Sequence, residues 1–274
     1  MIKINDSFIR LPSRESITNK GDAGKVLIIG GDVGMCGAVA FACESAYRMG
    51  CGLVRAIVHP ENRIPLQTLI PEAVLGFWDD DTLLETSLEW ADAVVIGVGF
   101  GVGEIQKKLL KIVLTECKKP IVIDADGLNI LSKSRALMSK ISANCVLTPH
   151  LVELSRLTGV SVDKIKKDTL GVIKKSLSAV SVAAKSDVTV MHLASGEEYI
   201  SASGNSSLST GGTGDVLAGM IGSLIAQGMD IRTALPTAVY LHGRAGVKAG
   251  ERLGERSVIA RDVISAICEI LKEF

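Results

Sequence analysis

Aromatic side chains are scarce in this 274-residue sequence, where Phe, Trp and Tyr together make up 4%. Neither sign of charge is in surplus: 30 Lys and Arg balance 30 Asp and Glu, and the pI is near 6.9. A neutral chain presents no electrostatic footprint to a polyanion, and so few rings leave little for bases to stack on. Nucleic acid is therefore not an expected partner. Paired cysteines are missing too. Cys36, Cys43, Cys51, Cys117, Cys145 and Cys268 never fall in a C-x-x-C pair. That argues against a zinc ribbon or a thioredoxin-type site and suits reduced cytosolic thiols. No apolar run reaches the roughly 18 residues of a membrane span. The opening MIKINDSFIR has no unbroken apolar core of the secretory kind. No membrane partner is expected, and the composition suits a soluble, cytoplasmic protein.

Glycine is the excess, with 28 residues, about a tenth of the chain against an average near 7%. A chain of this length buries about 75% of its unfolded surface, so its core needs no disulfide or metal. No low-complexity linker, composition break or internal repeat divides the sequence, which is expected to form one domain over 1–274.

Short β-branched runs alternate with longer helical patterns. The runs are Lys25 to Gly30, Leu53 to Val58, Ala93 to Val98, Ile121 to Ala125 and Cys145 to Leu147. Apolar strands without alternation, separated by helices, predict a mostly parallel sheet covered on both faces. Helices are expected at Gly37 to Met49, Glu104–Cys117, His150–Thr158 and Val162–Leu177. The lysines of the last, Lys164, Lys166, Lys167, Lys174 and Lys175, read as a solvated face. From Val180 the rhythm changes. Val180–Ala184, Val188–Leu193 and Glu197–Ser201 follow one another, and Ala194-Ser195-Gly196 joins the last two as a hairpin, predicting an antiparallel edge. Three helices then complete an α/β/α architecture. The first is marked by Val216, Leu217, Met220, Ile221, Leu224 and Ile225, and the last by Val263, Ile264, Ile267, Ile270 and Leu271.

Chemistry concentrates where glycines precede helices. Ser209-Thr210-Gly211-Gly212-Thr213-Gly214-Asp215 runs straight into an amphipathic helix. Backbone N–H groups converging at such a start, with the helix dipole, suit a phosphate. Asp215 would repel that phosphate unless it accepts a proton during the reaction. The plainer alternative is a helix capped by Thr213, with Asp215 complementing the dipole. Gly30-Gly31-Asp32-Val33-Gly34-Met35-Cys36-Gly37-Ala38 is a second strand-to-helix passage, where open α/β sheets bind ligands. Neither it nor Gly97-Val98-Gly99-Phe100-Gly101-Val102-Gly103 has G-x-G-x-x-G spacing, and no P-loop motif occurs. Nicotinamide dehydrogenases and P-loop NTPases both lose ground, and ordinary loop punctuation stays open for each run. Thr148-Pro149-His150-Leu151-Val152-Glu153 places His150 and Glu153 three apart on one helical face, for a ligand or for local hydrogen bonding. Asp124, Asp126 and Asn129 end another strand and suit either magnesium's water shell or a helix cap. His59, His192 and His242 have no partner at metal-ligand spacing and read as structural.

In order, GKVLIIGG with the following Gly37-Ala38, GVGFG, IVIDADGLNIL, LTPHLVE, AKSDVT and STGGTGDVLAGMI resemble one family, the ADP-dependent NAD(P)H-hydrate dehydratases of the ribokinase-like carbohydrate-kinase fold. The resemblance runs from about Asn19 to Leu271. It implies a three-layer α/β/α sandwich and a repair lyase. Such an enzyme uses ADP, with Mg²⁺, to restore NADH and NADPH from their hydrates, NADHX and NADPHX, releasing AMP and phosphate. Asp215 would be the general base, with the N–H groups of Gly212, Thr213 and Gly214 stabilising the transferring group. Ala38, Gly101, His150 and Asp215 would contact the hydrate. Lys185, Ser186, Asp187, Val188, Thr189 and Gly214 would contact the adenine nucleotide. Glu153 matches the acidic member of an Asn-x-x-Glu element through which related kinases hold magnesium and phosphate, with His150 at the Asn position. A homotetramer is implied as well. The 274 residues hold no second domain for epimerising the hydrate, so a separate NAD(P)H-hydrate epimerase is the expected functional partner.

The sequence departs from the family pattern at several positions. Val98 and Phe100 stand where Pro and Leu are usual, Leu151-Val152 replaces Pro-Gly, and Ser186-Asp187 replaces Gly-Ala. Asp32 and Met35 replace a frequent Ser and Tyr. Two rival functions are a small-molecule kinase of the same fold, acting on a vitamin precursor or sugar, and a nucleotide-sensing protein without turnover.

Overall fold

The computed structural model describes residues 1–14 and 19–274. Its strands are Ile2–Lys3 (β1), Lys25–Ile29 (β2), Leu53–Val58 (β3), Val74–Phe77 (β4), Ala93–Ile96 (β5), Ile121–Ile123 (β6), Cys145–Leu147 (β7), Ser181–Ala184 (β8), Thr189–His192 (β9) and Glu198–Ser201 (β10). The helices are Cys36–Arg48 (α1), Arg63–Leu69 (α2), Asp81–Trp90 (α3), Glu104–Glu116 (α4), Ala125–Ser132 (α5), Arg135–Met138 (α6), Leu151–Thr158 (α7), Val162–Lys167 (α8), Thr169–Leu177 (α9), Thr213–Ala226 (α10), Ile231–Leu253 (α11) and Ala260–Ile270 (α12).

All the strands join one sheet in the order β1-β10-β9-β8-β7-β6-β5-β2-β3-β4. The parallel register expected from unbroken apolar runs holds from β8 to β4. The reversal falls on β9, which pairs antiparallel with both β8 and β10. The strand β1 then adds parallel to β10. Side chains alternate between two buried layers, as the strand period of two requires. In β2, Val26 and Ile28 join one core with α1, α10, α11 and α12, while Leu27 and Ile29 join the other with α4, α5 and α7. Ala93 and Val95 of β5 divide from Val94 and Ile96 in the same way. The architecture is the expected three-layer α/β/α sandwich. Among the described residues, no helix is long and apolar enough to cross a membrane.

Two local departures have physical causes. The helix expected over Val162–Leu177 is two helices, because the Asp168 side chain accepts the Gly171 N–H and caps α9 while its own backbone leaves the helical region. The segment β4–α3 follows no glycine-bounded apolar run. The strand β4 has the sequence VLGF and only one fully buried residue, so its pattern is weak.

The parallel strands end on one edge, and the passages after β2, β5, β6, β7 and β8 all open there. This is where an open α/β sheet leaves a crevice.

Candidate functional site

Lys185 follows β8, and its backbone N–H donates to Pro149 O at 2.8 Å, bringing the β7 and β8 ends side by side. Its Nζ lies 2.8 Å from Asp124 Oδ1, at the end of β6. The same oxygen accepts the Thr148 hydroxyl at 2.7 Å. The Asp124 side chain is 3% exposed, so this is a desolvated pair. Burial opposes the Lys185 charge, but Asp124, Glu153 and Asp215 together hold its pKa above the ordinary lysine value. Asp124 occupies the N-cap position of α5 but makes no capping bond. The cap considered for it does not form, and its side-chain contacts go to Thr148 and Lys185.

The helix α10 begins directly over this pair. Its N-cap is Gly212, at φ 93°, and no side chain caps it. The alternative of a Thr213 cap does not hold; its hydroxyl donates to Leu208 O and Thr210 O, fixing the glycine-rich turn from within. The N-terminus is thus open to an external anion. A Cβ on Gly214 would meet Lys185 Nζ at 3.3 Å and Asp124 Oδ2 at 3.5 Å. Lys185 therefore stands where a group bound to the α10 start would be. Burial pushes the Asp215 carboxyl up from 3.8 to about 7; Asp124 adds to the rise and Lys185 opposes it. Glu153, 6% exposed, is pushed by burial to about 7 as well, with Lys185 lowering and Asp124 raising it. Near neutral pH, Asp215 is poised to accept a proton.

His150 is the N-cap of α7 in a capping box. Its Nδ1 accepts the N–H groups of Val152 at 3.1 Å and Glu153 at 3.3 Å, while Glu153 Oε2 accepts the His150 N–H at 2.9 Å. With Nδ1 an acceptor, the hydrogen-bond network assigns the proton to Nε2. Burial and Lys185 lower the His150 pKa, which favours this neutral tautomer. The side chain is 49% exposed and carries Nε2 3.4 Å from Glu153 Oε1.

The loops after β2 and β5 form the other side. Asp126 Oδ2 accepts the Gly101 N–H at 2.8 Å. Asp32 accepts from Gln106 Nε2 at 3.1 Å and from the Val33 N–H. Its Oδ2 also fills the space that a Cβ on Gly101 would need. Ala38, in the first turn of α1, packs against Gly99, where an added Cβ would lie 2.9 Å from its own. Met35 precedes α1 and is about half exposed.

The expected site residues thus fall into three groups. Asp215, Gly212, Thr213, Gly214, Lys185, His150 and Glu153 surround the α10 start and the β7 and β8 ends. Ala38 and Gly101 lie together on the β2 and β5 loops. Ser186, Asp187 and Val188 form the turn between β8 and β9, and Thr189 begins β9. Within that turn the Ser186 hydroxyl donates to Val188 O, and Asp187 is exposed. Of the Lys185 to Thr189 segment, Lys185 is the member that reaches Asp124. Sequence reasoning did not find the Asp124–Lys185 pair. Two polar residues at the ends of strands otherwise apolar throughout were the available signal. His242 is buried, which lowers its pKa to about 4 despite a hydrogen bond to the Thr213 backbone. His59 caps a short 3₁₀ turn, and His192 contacts Ser178 O.

Residues 26–269 match a family model described as NAD(P)H-hydrate dehydratase. The chain is 39% identical over 263 residues to a bifunctional NAD(P)H-hydrate repair enzyme of Escherichia coli, covering 95% of this chain and 50% of that protein. It therefore spans about half the length of several curated relatives it matches. An ADP-dependent (S)-NAD(P)H-hydrate dehydratase of Neisseria meningitidis is 34% identical, with 91% of this chain and 88% of that one covered. A ribokinase-like superfamily protein from Enterococcus faecalis superposes with a TM-score of 0.87 at 27% identity, covering 99% of this chain and 95% of that one.

Proposed function

The chain belongs to the NAD(P)H-hydrate dehydratase family, and from that premise we propose that it restores NADH and NADPH from NADHX and NADPHX, using ADP and releasing AMP and phosphate. The observation that carries this reading is Asp215: a carboxyl with a pKa near 7 in the first turn of an uncapped helix, beside Lys185.

Hydroxide leaves a carbon poorly, whereas phosphate leaves readily. Asp215 takes the proton of the hydrate hydroxyl as its oxygen attacks the β-phosphorus of ADP, and AMP departs. The α10 N–H groups of Gly212, Thr213 and Gly214, with Lys185, stabilise charge on the transferring group. The carbon–oxygen bond then breaks with its electrons going to phosphate, the ring nitrogen lone pair filling in. Loss of a proton from the adjacent ring carbon completes the reduced nicotinamide. Ala38, Gly101 and His150 hold the hydrate, and Lys185 holds the nucleotide through its phosphates. Ser186, Asp187, Val188 and Thr189, which follow Lys185 into β9, would contact the adenosine end.

Among the described residues, no three His, Cys, Asp or Glu side chains form a metal cage. Magnesium does not need one, because it keeps much of its water and binds through one or two carboxylates plus phosphates. The hard oxygens of Glu153, whose charge is disfavoured as it stands, fit that role. Bound there with ADP, the ion would neutralise phosphate charge. The family resemblance further supports a homotetramer and an NAD(P)H-hydrate epimerase as functional partner, and the unpaired cysteines suit a cytoplasmic setting.

Incubation with ADP, Mg²⁺ and acid-generated NADH hydrate is expected to restore the reduced-nicotinamide absorbance, with AMP and phosphate released in equal amounts. A stable phosphorylated product without NADH recovery would instead make the protein a kinase. His150 can be tested separately, because it both caps α7 and presents Nε2–H. His150→Asn retains a good N-cap and should leave the melting temperature unchanged, while raising the hydrate KM about tenfold for one lost hydrogen bond. His150→Ala should show the same KM change and also lose about 1 kcal/mol of stability. Equal effects on the KM values for ADP and hydrate would remove His150 from the substrate side.

A further inference from the structure

Among the described residues, Ala125 is the one non-glycine residue with a left-handed backbone, at φ 45°. A residue with a Cβ holds that conformation only when its surroundings enforce it, and such strain gathers at functional sites. Here it separates two carboxylates. In an extended strand, residues two apart face the same side. Asp124, before the turn, reaches Thr148 and Lys185 under α10. Asp126, after it, reaches the β5 loop.

Both oxygens of Asp126 are engaged. Oδ2 accepts the Gly101 N–H at 2.8 Å, and Oδ1 accepts Asn129 Nδ2 at 3.1 Å. Asn129 Oδ1 in turn accepts Arg156 Nη1 at 2.8 Å, which fixes the amide orientation that Asp126 needs. The backbone is clipped to the same loop. Asp124 N–H donates to Ile96 O at 3.1 Å and Asp126 N–H to Gly97 O at 3.2 Å. The carbonyl of Asp124 occupies the space that a Gly97 side chain would take. The 97–101 segment is therefore held at its start by backbone and at Gly101 by a carboxylate, and both holds come from the strained turn.

We propose that Asp126 is a positioning residue, which fixes the Gly101 peptide and sets the 97–103 loop in the conformation that receives the hydrate. With its N–H already engaged, Gly101 does not serve as a donor to the ligand. The inference rests on the assignment of this loop to the hydrate, and it adds a residue whose carboxylate contacts the loop.

The test compares Asp126→Ala and Asp126→Asn in steady-state kinetics and in amide hydrogen exchange of the free protein. Asp126→Ala is expected to raise the hydrate KM about tenfold, with the ADP KM within about twofold, as a displaced loop predicts. The Gly101 amide should exchange at least about tenfold faster once its acceptor is gone. Asp126→Asn keeps an acceptor oxygen for the Gly101 N–H but turns its amide nitrogen toward Asn129 Nδ2, so it should recover both readouts in part, each lying between the Ala variant and the wild type. Should Asp126→Ala fail to fold, Asn129→Ala, which removes the brace on Oδ1, is expected to shift the hydrate KM and Gly101 exchange in the same direction by a smaller factor. Equal changes in both KM values, unchanged Gly101 exchange, or an Asn variant as impaired as Ala would each overturn the proposal. If the wild-type protein does not act on hydrates, the proposed function falls, while the exchange data still decide whether Asp126 holds the loop.

Discussion

Asp215→Asn is expected to lower kcat by about 10³-fold, the contribution of a well-placed general base, with little change in nucleotide affinity. Asn preserves shape but cannot take the hydroxyl proton. The wild-type protein should show kcat/KM rising about tenfold per pH unit up to a plateau above about 7, where Asp215 ionises. The variant's residual rate should lack that limb. Stability should move the other way. Burial pushes the native carboxyl up to about 7 from its ordinary 3.8, so between these values the native state binds a proton that the unfolded state has lost. Stability from this group is full below about pH 4 and falls as pH rises through 7. Asn does not titrate. The variant should match the wild type near pH 4 and exceed it above pH 7. The full shift would convert to roughly 4 kcal/mol; partial exposure of Asp215 brings the expected gain to on the order of 1–2 kcal/mol, a few degrees of melting temperature. A variant keeping more than a tenth of wild-type activity would take the base role from Asp215.

Lys185→Met should have the second largest effect, on stability and activity together. Asp124 would remain buried with the Thr148 hydroxyl as a side-chain partner, close to Glu153 and Asp215. Removing one member of a buried pair typically costs about 3–5 kcal/mol, because the other charge is left uncompensated. The melting temperature at neutral pH should fall by on the order of 10 °C. The loss should shrink in acid, as the orphaned carboxylates protonate, and it should be largely recovered by adding Asp124→Asn. Turnover should drop about 10²-fold or more in both, because the cation beside the α10 start is gone in each. If the double variant is no more stable than the single one, the pair is not what holds this part of the site together.

The same pair marks the limit of what the residue pattern reveals. The buried strands were legible because β2, β5, β6 and β7 are apolar on both faces, and a parallel sheet covered by helices demands that. The glycine loops were legible because tight packing demands glycine at several of their positions: a Cβ on Gly30, Gly97, Gly101 or Gly212 would come within 3.0 Å of neighbouring atoms. The partner of Lys185 was not. Asp124 lies 61 residues away, and their meeting depends on β6, β7 and β8 being neighbours, which tertiary packing decides. Ala125 carried no signal at all, since nothing in Asp-Ala-Asp marks its middle residue as left-handed. His150 was read as a ligand or as a histidine in local hydrogen bonding. The local reading describes its Nδ1, which caps α7, while Nε2 lies 3.4 Å from Glu153 Oε1. The break between α8 and α9 was hidden by an apolar period that continues through Asp168, although an Asp three residues before Gly171 is a capping signal in its own right.

Transfer of phosphate to the hydrate's own hydroxyl is the central chemical claim, and oxygen labelling reads it directly. NADH hydrate prepared in ¹⁸O-water carries the label on the hydroxyl that must be lost. Turned over with unlabelled ADP in unlabelled water, it should deliver one ¹⁸O into each inorganic phosphate released. Label appearing in water, with the phosphate unlabelled, would mean that ADP is cleaved apart from the dehydration and would contradict the mechanism.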